Sequence, residues 1–176
     1  VLAPNTGALH AQAVQEQSVN VTIKDVFAAR KGRALNHALD LLAIVENSPN
    51  APENTQLVKG QTQKLMFCLS DAAITLRRHL LSAPNDAKAR LALIAVVTSL
   101  GAFEDAHALV LDDGSIEMAV VRIKLALAQG NIVAALDLSE AAFETWEGDR
   151  TVLLVHCDVL VQHLRHLEGA SHLYRA

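Results

Sequence analysis

Aromatic residues are nearly missing from this chain: one tryptophan, one tyrosine and four phenylalanines, 3% of 176 residues. Hydrophobic residues nevertheless make up 51% of it, so the apolar mass is alanine, leucine and valine. That composition suits close helix–helix packing and argues against a β-sandwich, where aromatic and β-branched residues dominate. Neither sign of charge prevails. A formal charge of −4 and a pI near 6.0 leave no electrostatic footprint for wrapping nucleic acid, and the basic spots Ala29–Arg33 and Leu76–Leu80 read as solvated helix faces. No run reaches the roughly 18 unbroken apolar residues that a membrane span needs, so no direct membrane insertion is expected.

Cysteine is scarce too. Cys68 and Cys157 lie in apolar helical runs, outside any CxxC or Cys/His ligand spacing, and read as buried free thiols. A disulfide between them would require the fold to bring them together. The chain opens "VLAPNTG" without an initiator methionine, so a targeting peptide would be out of view; the compartment stays open, with the cytoplasm as the default.

Catalytic signatures are missing as well. There is no GxSxG elbow, P-loop, GxGxxG after a strand or HExxH. Among eight histidines, His156, His163 and His166 form the one suggestive set, at steps of seven and three. No carboxylate stands at ligand spacing beside them, and His166 is expected in a turn, so they read as structural or partner-facing. Cys157 beside His156, and Cys68 with His79, lack the exposed elbow a nucleophile needs. The expectation is a protein that is not an enzyme and holds no metal or cofactor.

What is present is helical periodicity, in a chain long enough for one domain or one short array. Residues 1–20 are weakly patterned and broken by the β-branched Ser18–Ile23, an N-terminal arm. Residues 21–49 predict a helical hairpin, with Val26, Phe27, Leu35, Ala38, Leu41, Leu42 and Val45 at three- and four-residue steps. The proline- and asparagine-rich loop Glu46–Thr55 separates this from residues 50–176. There, Gln56 to Ser82 is either one bent helix or two, with Gly60 and Ser70–Asp71 as candidate breaks and Ser70 as a cap. Pro84 ends that region. Helices follow over Ala87–Leu100, Phe103–Val110, Ile116–Gln129, Ile132–Trp146 and Thr151–Leu164, and a partner helix begins beyond. No strand is predicted after residue 23, so the fold class is all-α.

Three turns in this stretch match. Gly101 is followed by Phe103 and Ala106, Gly130 by Ile132 and Ala135, and Arg165 by Leu167 and Ala170. Each has an apolar anchor two residues after the turn position and an alanine five after it. The glycine accepts the left-handed backbone that ends a helix, and the alanine lets two helices approach closely. Periods of about 29 and 35 residues fall in the range of helical repeats.

In these residues the chain resembles the tetratricopeptide repeat (TPR) family, from Leu69 to the C-terminus and best from Pro84 onward. Ala142, twelve residues after Gly130, fits the pattern. So does an earlier unit closed by Pro84, with Leu69 and Ala72 as anchor and alanine and Phe67 in the glycine's place. The chain departs from the pattern at Arg165, at Asp113 and in lacking the usual aromatic of the first helix. The resemblance implies antiparallel helical hairpins stacked as a right-handed α-solenoid; a non-repeating helical bundle is the alternative.

It also implies a concave groove lined by the first helix of each hairpin. Carried onto this chain, that face is Lys88, Leu91, Ala95, Thr98 and Ser99, then Glu117, Val120, Lys124 and Leu127, then Val152, Val155, Val159, Gln162 and His163. Periodicity alone places Leu154, Cys157, Val161 and Leu164 on the core stripe of the last helix. Val152, His156, Val159 and His163 form a second stripe on the other side, which must cover something: a docked or missing segment, or an external ligand. Trp146 continues the apolar stripe of Ile132, Ala135, Ala142 and Phe143, a core position. The functional expectation is a non-catalytic adaptor or scaffold that binds a protein or peptide partner in the groove. The alternative is a helical accessory domain of a larger protein whose enzymatic, transport or export activity lies elsewhere, which the abrupt opening at Val1 and an ending inside a hairpin would suit. Self-association through Val152, Val155 and Val159 is a third reading.

Overall fold

The structure, a computed structural model, describes the backbone of residues 21–173 and side chains as far as residue 165. The N-terminal arm expected over residues 1–20 lies outside the described residues, as do the side chains of His166, Leu167 and Ala170. Among the described residues there are nine helices and no strand, an all-α fold. They are α1 (Ile23–Lys31), α2 (Leu35–Glu46), α3 (Thr55–Leu65), α4 (Leu69–Ser82) and α5 (Ala87–Ser99). Then come α6 (Phe103–Leu109), α7 (Ile116–Ala128), α8 (Ile132–Thr145) and α9 (Arg150–Leu173). Contacts divide the chain between Thr55 and Gln56 into two compact units.

The first unit holds α1 and α2, packed together as a hairpin. Asp25 fixes its entry: its carboxylate accepts hydrogen bonds from the amide and hydroxyl of Thr22, at 2.8 and 2.9 Å. Those bonds, the amide's first, hold the Asp25 carboxyl below its ordinary range. Val26, Ala38, Leu42 and Val45 are buried.

Four turns in the molecule share one backbone geometry. Arg33, Phe67, Gly101 and Gly130 have positive φ of 60, 60, 74 and 74°. Each donates its amide to the carbonyl three residues back, and the residue after it donates to the carbonyl five back, the hydrogen-bond pair of a Schellman cap. Five residues beyond each turn stands an alanine with no exposed surface: Ala38, Ala72, Ala106 and Ala135. The first three turns are evenly spaced, 34 residues apart, and the fourth follows after 29. The unit around Arg33, Leu35 and Ala38 went unread in the sequence because no glycine stands at the turn. Anchor and alanine hold the same places there nonetheless.

Two of these turns carry side chains that the left-handed conformation disfavours, at roughly 1–2 kcal/mol per residue. The Phe67 ring is 87% exposed and gains little from packing. Phe67→Gly is therefore expected to raise stability by about 1 kcal/mol, after allowing for the extra freedom glycine gives the unfolded chain. A thermal melt of the variant checks this.

Residues 55–82 form two helices, and the break falls at neither expected place. The chain turns at Phe67, so Cys68, not Ser70, precedes the first residue of α4, and it makes no side-chain cap. Gly60 lies inside α3. A Cβ there would stand 2.6 Å from Leu76 Cγ, so glycine serves the close packing of α3 on α4 and not a bend.

The turn expected at Arg165 is also corrected. α9 runs unbroken from Arg150 to Leu173, so no partner helix begins there. The same anchor and alanine accompany a turn at Phe67 and none at Arg165, so these two marks do not by themselves decide where a helix ends.

The second unit is built on two clusters. Leu57, Ala72, Leu76, Ala89, Leu93, Val97, Ala106, Met118 and Leu125 belong to one. Val120, Ile123, Ala126, Ala135, Ala142, Val152, Val155 and Val159 form the other, and Trp146 packs against it as expected. Helix α5 touches α4, α6 and α7, and α7 touches α5, α8 and α9. This explains why α5 is apolar nearly all round.

Candidate functional site

The starts of α5, α7 and α9 are each held by a side chain. Asp86 Oδ1 accepts from the amides of Lys88 and Ala89, at 2.9 and 3.1 Å. Its Oδ2 stands 2.8 Å from Nε2 of the buried His79 on α4. Burial works against the Asp86 charge, but the bonds from His79 and the two amides outweigh it and hold the carboxyl below its ordinary value. At α7, Ser115 Oγ accepts from the Met118 amide at 3.3 Å. Ser115 in turn donates its hydroxyl and amide to Asp113, at 2.6 and 2.9 Å. These bonds, the hydroxyl's first, lower the Asp113 carboxyl. Asp113, a departure from the repeat pattern in the sequence, thus anchors the cap of the next helix. Asp149 Oδ1 does the same for α9, accepting from the amides of Thr151 and Val152.

Between α5 and α7 lies a cleft of about 220 Å3, lined by Leu91, Ile94, Ala95, Thr98, Val121, Lys124 and Leu125. Four expected groove residues meet here: Leu91, Ala95, Thr98 and Lys124. The sequence reading missed Ile94, Val121 and Leu125. Ile94 and Val121 stand one helical turn from the expected Leu91 and Glu117, but the core also claims such positions, and Leu125 had no such signal. Lys124 is the cleft's sole charged group and is exposed. Lys88, Ser99 and Glu117 are exposed and stand outside the lining.

Four of the remaining expected groove residues, Val120, Val152, Val155 and Val159, are corrected. Val120 is buried in the second core cluster, and Leu127 packs against that cluster. Val152, Val155 and Val159 are 1, 8 and 0% exposed, core residues and not a groove. Conversely Leu154, Val161 and Leu164, expected inside, are 59, 46 and 59% exposed, and Cys157 is exposed too. Helix α9 is apolar on both faces, and the smaller, β-branched face is the one that fits against α7 and α8. Self-association through the three valines is overturned with this assignment.

Gln162 and His163 are half-buried, and Gln162 donates to Asp158 at 3.3 Å. His156 is engaged in packing. Its Nδ1 lies 3.0 Å from Ser139 Oγ, and its ring stacks on Phe143 with centroids 5.0 Å apart. Among the described residues no group of three His, Cys, Asp or Glu side chains is placed to hold a metal ion. Cys68 and Cys157 are both free thiols, Cys68 only half-buried.

Two larger cavities lie among α4, α5 and α6 and among α6, α7 and α8. One, of about 490 Å3, is lined by Leu80, Leu81, Leu93, Ala108 and Leu109, with the Arg77–Asp105 ion pair joining α4 to α6 beside it. The other, of about 400 Å3, has His107, Arg122, Gln129 and Asn131 in its lining. Among the described residues no helix is long and apolar enough to cross a membrane. Set against known proteins, the chain matches no protein-family model, no curated protein and no solved structure.

Proposed function

We propose that the second unit is a tetratricopeptide-like α-solenoid whose first helices take up a segment of another protein in the cleft between α5 and α7. The repeated turn geometry at Phe67, Gly101 and Gly130, each with its buried alanine, supports the repeat. Contacts of α5 with α7 and of α7 with α9 are those that stacked hairpins make between successive first helices. A non-repeating bundle has no need of equal turns.

The observation that carries the binding reading is the convergence of Leu91, Ala95, Thr98 and Lys124 on one apolar cleft. At about 220 Å3 it is smaller than the roughly 300–1,000 Å3 of small-molecule sites. It suits one anchoring aliphatic side chain of a peptide, with Lys124 at the edge to meet a polar or acidic neighbour of that anchor. The chain then acts as an adaptor or scaffold, not as an enzyme.

Selection from a displayed peptide library, followed by affinity measurement on the enriched peptides, tests this. Thr98→Trp fills the cleft and is expected to weaken binding at least tenfold, about 1.4 kcal/mol; Lys124→Glu should weaken peptides that carry an acidic neighbour. Peptides indifferent to both variants place the binding face elsewhere.

A further inference from the structure

Helix α9 is 24 residues long and has an open apolar stripe opposite its buried valines. Leu153, Leu154, Leu160, Val161 and Leu164 are 37–59% exposed, and the exposed Cys157 sits among them. The steps from Leu153 to Cys157, Leu160 and Leu164 are four, three and four residues. That is the seam spacing of two helices packed knobs-into-holes, so the natural cover is another helix. The open stripe amounts to on the order of 400–500 Å2, the size of the largest apolar patch on a typical monomer, which is often functional. Two such stripes facing each other, with their polar rims, reach roughly the 1,200–2,000 Å2 of a stable interface.

We propose that the cover is a second copy of this chain, the two α9 helices packing antiparallel about a two-fold axis between Cys157 and Leu160. The stripe is self-complementary in that direction, as an isologous contact requires. Leu153 meets Leu164 of the partner subunit, Cys157 meets Leu160 of the partner subunit, and Leu154 meets Val161 of the partner subunit, with no apolar position left over. No charged side chain lies within the stripe. The exposed Asp158 and, two turns on, the exposed Arg165 stand on one flank of the stripe. This inference is independent of the cleft between α5 and α7.

Sedimentation equilibrium tests it directly. The wild-type chain is expected to be a dimer at about 100 μM, and Leu154→Glu with Leu164→Glu to raise the dimer dissociation constant more than a hundredfold, about 2.7 kcal/mol, with unchanged circular dichroism. A second measurement guards against a misfolded variant. In a Cys68→Ser, Leu160→Cys chain, facing positions on axes about 8–10 Å apart come within the roughly 4.4–6.8 Å Cα separation of a disulfide. Oxidised glutathione, accepting two electrons and two protons per bond, should then link Cys157 to the new thiol of the other copy. A wild-type monomer at that concentration, a dimer that survives both glutamates, or a folded variant that does not cross-link overturns the proposal and leaves the stripe to a different helix.

Discussion

Ala106→Leu is expected to lower unfolding stability by about 3 kcal/mol, the upper end of the cost of overpacking a core. Ala106 has no exposed surface and stands on α6 where it packs against α5. The tight turn at Gly101 holds these two helices together a few residues away. Three further carbons there must push the helix backbones apart, because neighbours such as Leu93 and Val97 are themselves fully packed. For a chain of this size the loss corresponds to a fall in Tm of about 6–12 °C. Ala108→Leu, two residues on and exposed, should change stability by less than about 0.5 kcal/mol. Urea denaturation of the pair separates the readings: equal effects would mean that the alanine five residues after the turn has no special place in the hairpin.

Asp86→Ala is expected to cost a similar amount at neutral pH. It removes the acceptor for two α5 amides, a cap worth about 0.5–2 kcal/mol. It also leaves the buried His79 ring without its partner, at about 1–3 kcal/mol. The pH dependence follows from the depressed carboxyl. A carboxylate whose pKa is lower folded than unfolded contributes stability that is complete above its unfolded pKa, about 3.9. That contribution is lost as pH falls through the folded value. Asp86→Asn keeps a good cap and removes the charge. Its deficit against wild type should therefore be full at pH 7 and close progressively below about pH 4. Urea midpoints at pH 7, 4.5 and 3 measure it. A deficit that does not change with pH would mean that the carboxylate charge adds nothing to the α4–α5 joint.

Much of the fold was legible because helix ends and close contacts leave local marks. Gly101 and Gly130 announce their turns, and Ala106 and Ala135 announce the approach that follows. Arg33 and Phe67 adopt the same left-handed backbone without glycine, so only the anchor and alanine behind them betray the turn. At Arg165 those same two marks mislead, since the helix there continues. Helix α9 shows the deeper limit. Periodicity found two apolar faces, yet which of them turns inward depends on the shape of α7 and α8, which no local pattern encodes. The larger leucines looked like core, and the compact valines are. Of the expected groove residues, Leu91, Ala95, Thr98 and Lys124 were brought together at the cleft between α5 and α7. Val120 and Leu127 were not, because the second core cluster takes the adjoining face of α7.

Methyl-resolved NMR during titration with a library-selected peptide tests the binding reading most directly. Perturbations are expected to concentrate on the methyl groups of Leu91, Ile94, Val121 and Leu125, which line the cleft between α5 and α7. Shifts centred instead on Leu80, Leu81 and Leu109, around the larger cavity at α4 and α6, or on Leu154 and Leu164 of α9, would contradict it.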